Sequence, residues 1–170
     1  MSPAGDRAPA KQAPPPTARA EGLELAVVAS RFNGAYVERL VEGALAALEE
    51  LGLARGRVAV YRCPGAFELP LLAREVARCR RPDGIVALGA VIRGETPHFD
   101  FVAGEAARGL MKVALATGVP VGFGVITAAT PEQAEARTRP PLDRGAEAAR
   151  SVVEMAHALA EVRRHAPDRG

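Results

Sequence analysis

The sequence predicts an α/β fold: a doubly wound, three-layer α/β/α sandwich around a four-stranded parallel sheet. Three observations predict it. Short apolar runs alternate with longer segments of helical period, time after time along the chain. The short runs are continuously apolar, as strands covered on both faces are. One of them, within DGIVALGAVIRGETPHFDF (83–101), passes abruptly into glycine, charge and histidine. That is how a buried parallel strand empties into a functional loop, and open parallel sheets place their chemistry at that edge.

The elements follow in order. Residues 1–20 hold five Pro and six Ala without an apolar period and read as a disordered tail. The tail lacks the apolar core of a signal peptide. It is basic like a transit peptide but poor in Ser and rich in Pro. A single domain over 21–165 follows, and 166–170 form a disordered C-terminus. Leu25–Ser30 (LAVVAS) is the first strand. Gly34–Leu51 is a helix with Val37, Leu40, Val41, Ala44, Leu45 and Leu48 on one stripe, closed by Gly52. Arg57–Arg62 is the second strand. Glu68–Arg81 is a helix with Pro70 in its first turn and Arg78, Arg80 and Arg81 at the end its dipole favours. Ile85–Ile92 is the third strand, Phe101–Thr117 a helix ended by Gly118, and Pro120–Thr127 the fourth strand. Thr130-Pro131-Glu132-Gln133 resembles a capping box opening a short helix to Arg137. Pro140-Pro141 breaks it, and Asp143 caps a last helix to Arg164 with Val152, Val153, Ala156, Leu159 and Val162 facing inward.

Right-handed crossovers put every strand-to-helix loop on one edge of such a sheet. The strand order is not written in the sequence. A flavodoxin-like 2-1-3-4 order would set the first and third loops on either side of a crevice.

Composition narrows the partners. A formal net charge of +2 is too small to point to nucleic acid. No run reaches the roughly 18 apolar residues of a membrane span. Aromatics make up only 4%, so the core is aliphatic and each Phe asks for an explanation. Cys63 and Cys79 fit no metal-ligand spacing and read as thiols of a reducing, cytoplasmic compartment. Of the 22 basic residues only Lys11 and Lys112 are lysine, which reads as genomic base composition.

Four loops carry the candidate chemistry. SRFNG puts Phe32 where a loop is normally polar; it either packs on a helix or offers a planar face to a ring. CPGAFELP exposes backbone at Ala66 and starts a helix with Glu68, which either complements the dipole or accepts hydrogen bonds from a polyol. RGETPH places Gly94, Glu95 and Thr96 ahead of a helix, where backbone N–H groups suit a phosphate. It matches neither the Walker pattern nor a dinucleotide fingerprint. His98 is the acid–base candidate. His98 and Asp100 also resemble a metal pair, but no further ligand follows. GFGVITAAT brings Phe123 at the wrong end of its strand to reach its own crevice. Arg137, Arg139 and Arg144 form either a solvated basic face or an anion clamp. His157 and His165 are read as structural or solvated.

SRFN, PGAFELP, ALGAVIRGETPHFDFV and FGVIT…EQA…R, in this order and spacing, closely resemble lumazine synthase, which acts in riboflavin biosynthesis. The likeness spans roughly residues 23–160. It implies condensation of 5-amino-6-ribitylaminouracil with 3,4-dihydroxy-2-butanone 4-phosphate to 6,7-dimethyl-8-ribityllumazine, with no metal or organic cofactor. Carried onto this chain, Phe32 resembles the stacking partner of the pyrimidine, with Asn33 beside it. Ala66 and Glu68 resemble the ribityl contacts, Phe67 between them counts among the substrate-binding residues, and Val91 and Ile92 resemble the ring-edge contacts. Gly94, Glu95 and Thr96 resemble the phosphate turn and His98 the proton-transfer residue. The family builds its sites between subunits of a homo-oligomer, a pentamer or a pentamer-based shell. Phe123 and Arg137 would then come from a neighbour, Arg137 to the phosphate. The family's usual lysine opening the last helix is here Arg144, which keeps the charge but does not readily lend a proton.

Overall fold

The structure is a computed structural model and describes residues 18–165. Its elements are β1 (Leu25–Ser30), α1 (Gly34–Glu50), β2 (Ala59–Cys63), α2 (Leu69–Arg80), β3 (Gly84–Ile92), α3 (His98–Thr117), β4 (Val121–Ala128), α4 (Pro131–Ala136) and α5 (Arg144–Arg164). The four strands form one parallel sheet in the order β2-β1-β3-β4. The flavodoxin-like order is thus the one adopted, and β1 and β3 lie at its centre. That placement explains their sequences: all of β1 and all of β3 but its last residue are buried. Alternate residues of these strands feed two aliphatic cores. One lies under α1 and α5, around Val27, Leu40, Leu48, Leu88 and Val152. The other lies under α2 and α3, around Val28, Leu69, Ile85, Ala87 and Leu110.

Local chemistry sets the element ends. Gly52 takes a left-handed φ of 96° and donates to Glu49 O at 3.0 Å, while Leu53 N–H reaches back to Leu48 O at 2.9 Å. This six-to-one closure is the Schellman motif, with the buried Leu53 folding back over the helix end. Asp143 caps α5 by accepting from the N–H groups of Gly145 (3.0 Å) and Ala146 (3.1 Å). Thr130 Oγ1 accepts from Gln133 N–H at 3.3 Å, but the Gln133 side chain answers Ala129 N–H at 2.9 Å rather than Thr130. The capping box is therefore shifted by one residue on its return half.

Several boundaries and one facing differ from the sequence reading, most by a single residue. Residues Arg55–Arg57 wind into a 3-10 turn, so β2 starts at Ala59 and runs on to Cys63, where Ser30 is its neighbour. Ala66–Glu68 form another such turn, and α2 starts after it. α3 begins three residues earlier than its periodicity shows, at His98, with Pro97 in the N-cap position and no side-chain capping bond. Val162 is exposed on α5 rather than facing inward. Of the tail, 1–17 lie outside the described residues, as do 166–170. Ala20 is fully buried and its N–H donates to Leu51 O at 2.8 Å. His157 Nε2 sits 2.6 Å from Arg19 O, so this histidine has a structural partner.

Glycines let the layers close. An added Cβ at Gly145 would lie 2.0 Å from Leu40 O, so α5 meets the α1 backbone directly there. At Gly122 a Cβ would lie 2.4 Å from Ala148 O, which seats α5 on β4 in the same way. Among the described residues, no helix is long and apolar enough to cross a membrane.

Candidate active site

β1 ends at Ser30 and β2 at its register neighbour Cys63, so the first two loops leave the sheet side by side. They are then tied together. Arg31 N–H donates to Cys63 O and Phe32 N–H to Pro64 O, both at 2.9 Å. The third loop joins through Asn33, whose Nδ2 donates to Ala90 O on β3 at 2.9 Å. β3 and β4 stay paired to Ile92 and Ala128, and Arg93 N–H extends that pairing to Ala128 O at 2.8 Å. The crevice between loops one and three is therefore held by backbone hydrogen bonds and one side-chain amide.

Between these loops lies a cleft of about 590 Å3 with mostly apolar walls. Ten of the residues singled out from sequence line it together: Phe32, Asn33, Ala66, Phe67, Glu68, Val91, Ile92, Gly94, Thr96 and His98. Phe32 is 71% exposed, so its ring presents a free face rather than packing on a helix. Glu68 receives Gly65 N–H at 2.9 Å through one carboxylate oxygen, which orients the group at the cleft and leaves the other to a ligand. His98 is exposed at the first turn of α3, beside the Gly94–Thr96 turn. It stands on a helix rather than in a loop, which fixes its backbone.

Four predicted residues are absent from the lining of this chain's cleft. Glu95 does not line the cleft. Phe123 sits on the edge strand β4 opposite Ala87, five residues below the end of β3, and is 49% exposed. Arg137 closes α4 with its guanidinium on Gln133 O at 2.9 Å. Arg144 opens α5 and pairs with Glu147. One chain thus builds a cleft without a guanidinium from the α4–α5 region.

Other lining residues were not singled out: Gly65, Ala90, Phe99, Phe101 and Val102. The aromatic pair in HFDFV was the available signal. Arg93 lies 4.5 Å over the Phe99 ring and pairs with Asp100 at 3.2 Å, closing the 94–97 loop upon itself. Asp100 is thereby committed to an ion pair. No cluster of three metal-ligating side chains occurs among the described residues. Both cysteines are free thiols. Cys63 is buried under the cleft wall, and burial pushes its thiol pKa up, with the Glu68 charge adding and Arg31 opposing.

The cleft offers a flat aromatic face, a carboxylate beside small backbone, a glycine turn and an acid–base side chain. That set suits two small polar molecules, one of them a planar ring. Known sequences agree. The profile of the family described as 6,7-dimethyl-8-ribityllumazine synthase matches residues 22–160. The 6,7-dimethyl-8-ribityllumazine synthase of Nitratidesulfovibrio vulgaris strain Miyazaki F is 48% identical over 144 residues, covering 84% of this chain and 92% of its own. Those of strains DP4 and Hildenborough are 47% identical over the same shares. With the family profile spanning nearly all of the described residues, this chain belongs to the 6,7-dimethyl-8-ribityllumazine synthase family.

Proposed function

We infer that the chain condenses 5-amino-6-(D-ribitylamino)uracil with 3,4-dihydroxy-2-butanone 4-phosphate to 6,7-dimethyl-8-ribityllumazine, releasing phosphate and water. The observation that carries this is the convergence of Phe32, Glu68 and His98 on one cleft, from the segments that follow three different strands of a chain in this family. The chemistry needs little more. An amine attacks a ketone, phosphate leaves, and a second ring closes. Much of the acceleration comes from holding two reactants in contact.

Position in the cleft and the family resemblance support the following residue roles. Phe32 stacks on the pyrimidine, while Val91 and Ile92 meet its edge. Ala66, Phe67 and the free oxygen of Glu68 take the ribityl chain. Gly94, Glu95 and Thr96 lie just ahead of the N-terminus of α3, where backbone N–H groups and the helix dipole favour the phosphate. His98, in the first turn of that helix, takes up and returns the protons moved in attack and elimination.

The active unit is a homo-oligomer, a pentamer or an assembly of pentamers, working in the cytoplasm. Phe123 and Arg137 support this reading: both are surface residues off their own cleft, and a neighbour is what would bring them to one. Arg137 would then grip the phosphate through charge-assisted hydrogen bonds. Arg144 supplies charge at the same edge. Mixing both substrates with pure protein tests the reaction: the absorbance of the lumazine appears, and its absence would overturn the reading.

A further inference from the structure

Phe32 presents a largely exposed ring, so neighbouring side chains do little to fix where that ring lies. Its placement comes from the backbone. Arg31 and Phe32 are tied by their N–H groups to the second loop. The next residue, Asn33, is tied to the opposite side of the crevice.

Asn33 is unusual in two respects. It is the N-cap of α1, and Asn is among the best side chains for that role, yet it makes no capping bond. It also holds a left-handed backbone, φ 57° and ψ 41°, which few residues other than Gly, Asn and Asp adopt without strain. Its amide instead crosses to Ala90 O, 57 residues away. The β1–β3 pairing ends at Ala29 and Leu88, while β3 continues to Ile92. Ala90 is buried, and the β1 backbone has turned away before reaching its carbonyl. A buried carbonyl without a donor is costly, and Asn33 Nδ2 supplies the donor.

We propose that Asn33 is a positioning residue: its side-chain amide adds one rung to the β1–β3 ladder beyond Ser30 and thereby fixes the Phe32 ring over the cleft. Asn33 acts through Phe32, and its capping potential is given up for that link. The proposal rests on the pyrimidine-stacking role of Phe32.

The test uses the full-length protein and the variants Asn33→Gly, Asn33→Asp, Phe32→Ala and Asn33→Gly/Phe32→Ala. Glycine keeps the left-handed backbone and removes the amide. Aspartate keeps the shape but its carboxylate has no proton to give Ala90. Calorimetry measures binding of the pyrimidine alone, and steady-state assays give KM for each substrate. Asn33→Gly and Asn33→Asp weaken pyrimidine binding about tenfold, the worth of one good hydrogen bond, with KM for the butanone phosphate unchanged. In the Phe32→Ala background Asn33→Gly adds no further loss. Unaltered pyrimidine affinity in both single variants would overturn the proposal. So would additive losses in the double variant, which would make Asn33 a direct ligand. A parallel rise in both KM values would reduce it to a general structural role and also overturn it. Wild-type protein that binds no pyrimidine would remove the stacking role itself, and the proposal with it.

Discussion

At the scale of single residues, exposure separates chemistry from support. His98 stands exposed at a helix start and none of the described hydrogen bonds uses its ring, so its removal takes nothing from the core. His98→Ala lowers turnover by roughly 10²–10⁴-fold, the ordinary reach of general acid–base catalysis. The melting temperature stays at the wild-type value. Steady-state rates and a thermal melt check this together, and unaltered turnover rejects the role. Cys63 is the opposite case. Its thiol is buried, and its pKa is raised in the folded state, so unfolding releases a proton once pH passes the ordinary thiol range. Its share of stability is intact below that range and is lost as pH climbs through the raised folded value. Alkaline melts of wild type and Cys63→Ala test it: the wild type loses stability more steeply.

At the scale of elements, helix packing depends on missing side chains. Gly145 lets the first turn of α5 rest on the Leu40 carbonyl of α1, where a methyl group would stand 2.0 Å from that oxygen. A backbone neighbour cannot swing aside, so Gly145→Ala forces the two helices apart. The expected cost is about 1–3 kcal/mol, the usual range for overpacking. Gly34, where a methyl meets nothing within 4 Å, is the control: Gly34→Ala leaves stability near wild type. Denaturant titration of both variants measures the difference.

The same scale shows what the sequence discloses. Continuous apolar runs marked β1 and β3 because both faces of those strands are covered, and glycine and proline marked most of the turns. The start of α3 was hidden, since RGETPH reads as loop while the helix in fact begins within it, at His98. The start of β2 was hidden by RGR, which carries no turn residue other than Gly56 and still winds into a 3-10 turn. The bond that Asn33 makes was hidden because its partner carbonyl lies 57 positions along the chain. Periodicity reports which face a residue takes, not which distant atom it bonds. Phe99 and Phe101 escaped for a similar reason: nothing local distinguishes an aromatic that lines a cleft from one that fills a core.

At the scale of the molecule, neither Phe123 nor Arg137 lines the cleft of its own chain. If neighbouring subunits complete each other's sites, two defective variants repair each other. His98→Ala and Phe123→Ala are each weakly active alone. Co-refolded as mixed oligomers, they regain a measurable fraction of wild-type turnover, because some interfaces pair an intact His98 with an intact Phe123. An assay of the mixture against the separate proteins decides it. Activity equal to the average of the two would mean that each chain works by itself.

Four of the five phenylalanines border this one cleft, and the chain has no tryptophan. The two cores are built from Leu, Ile, Val and Ala, with Cys63 in the second. The protein is therefore optically quiet where indole would dominate, with Tyr36 and Tyr61, both outside the cleft lining, as its strongest native chromophores. A conjugated bicyclic product bound in the cleft would glow against a dark background, so its arrival and departure can be followed without attaching any dye.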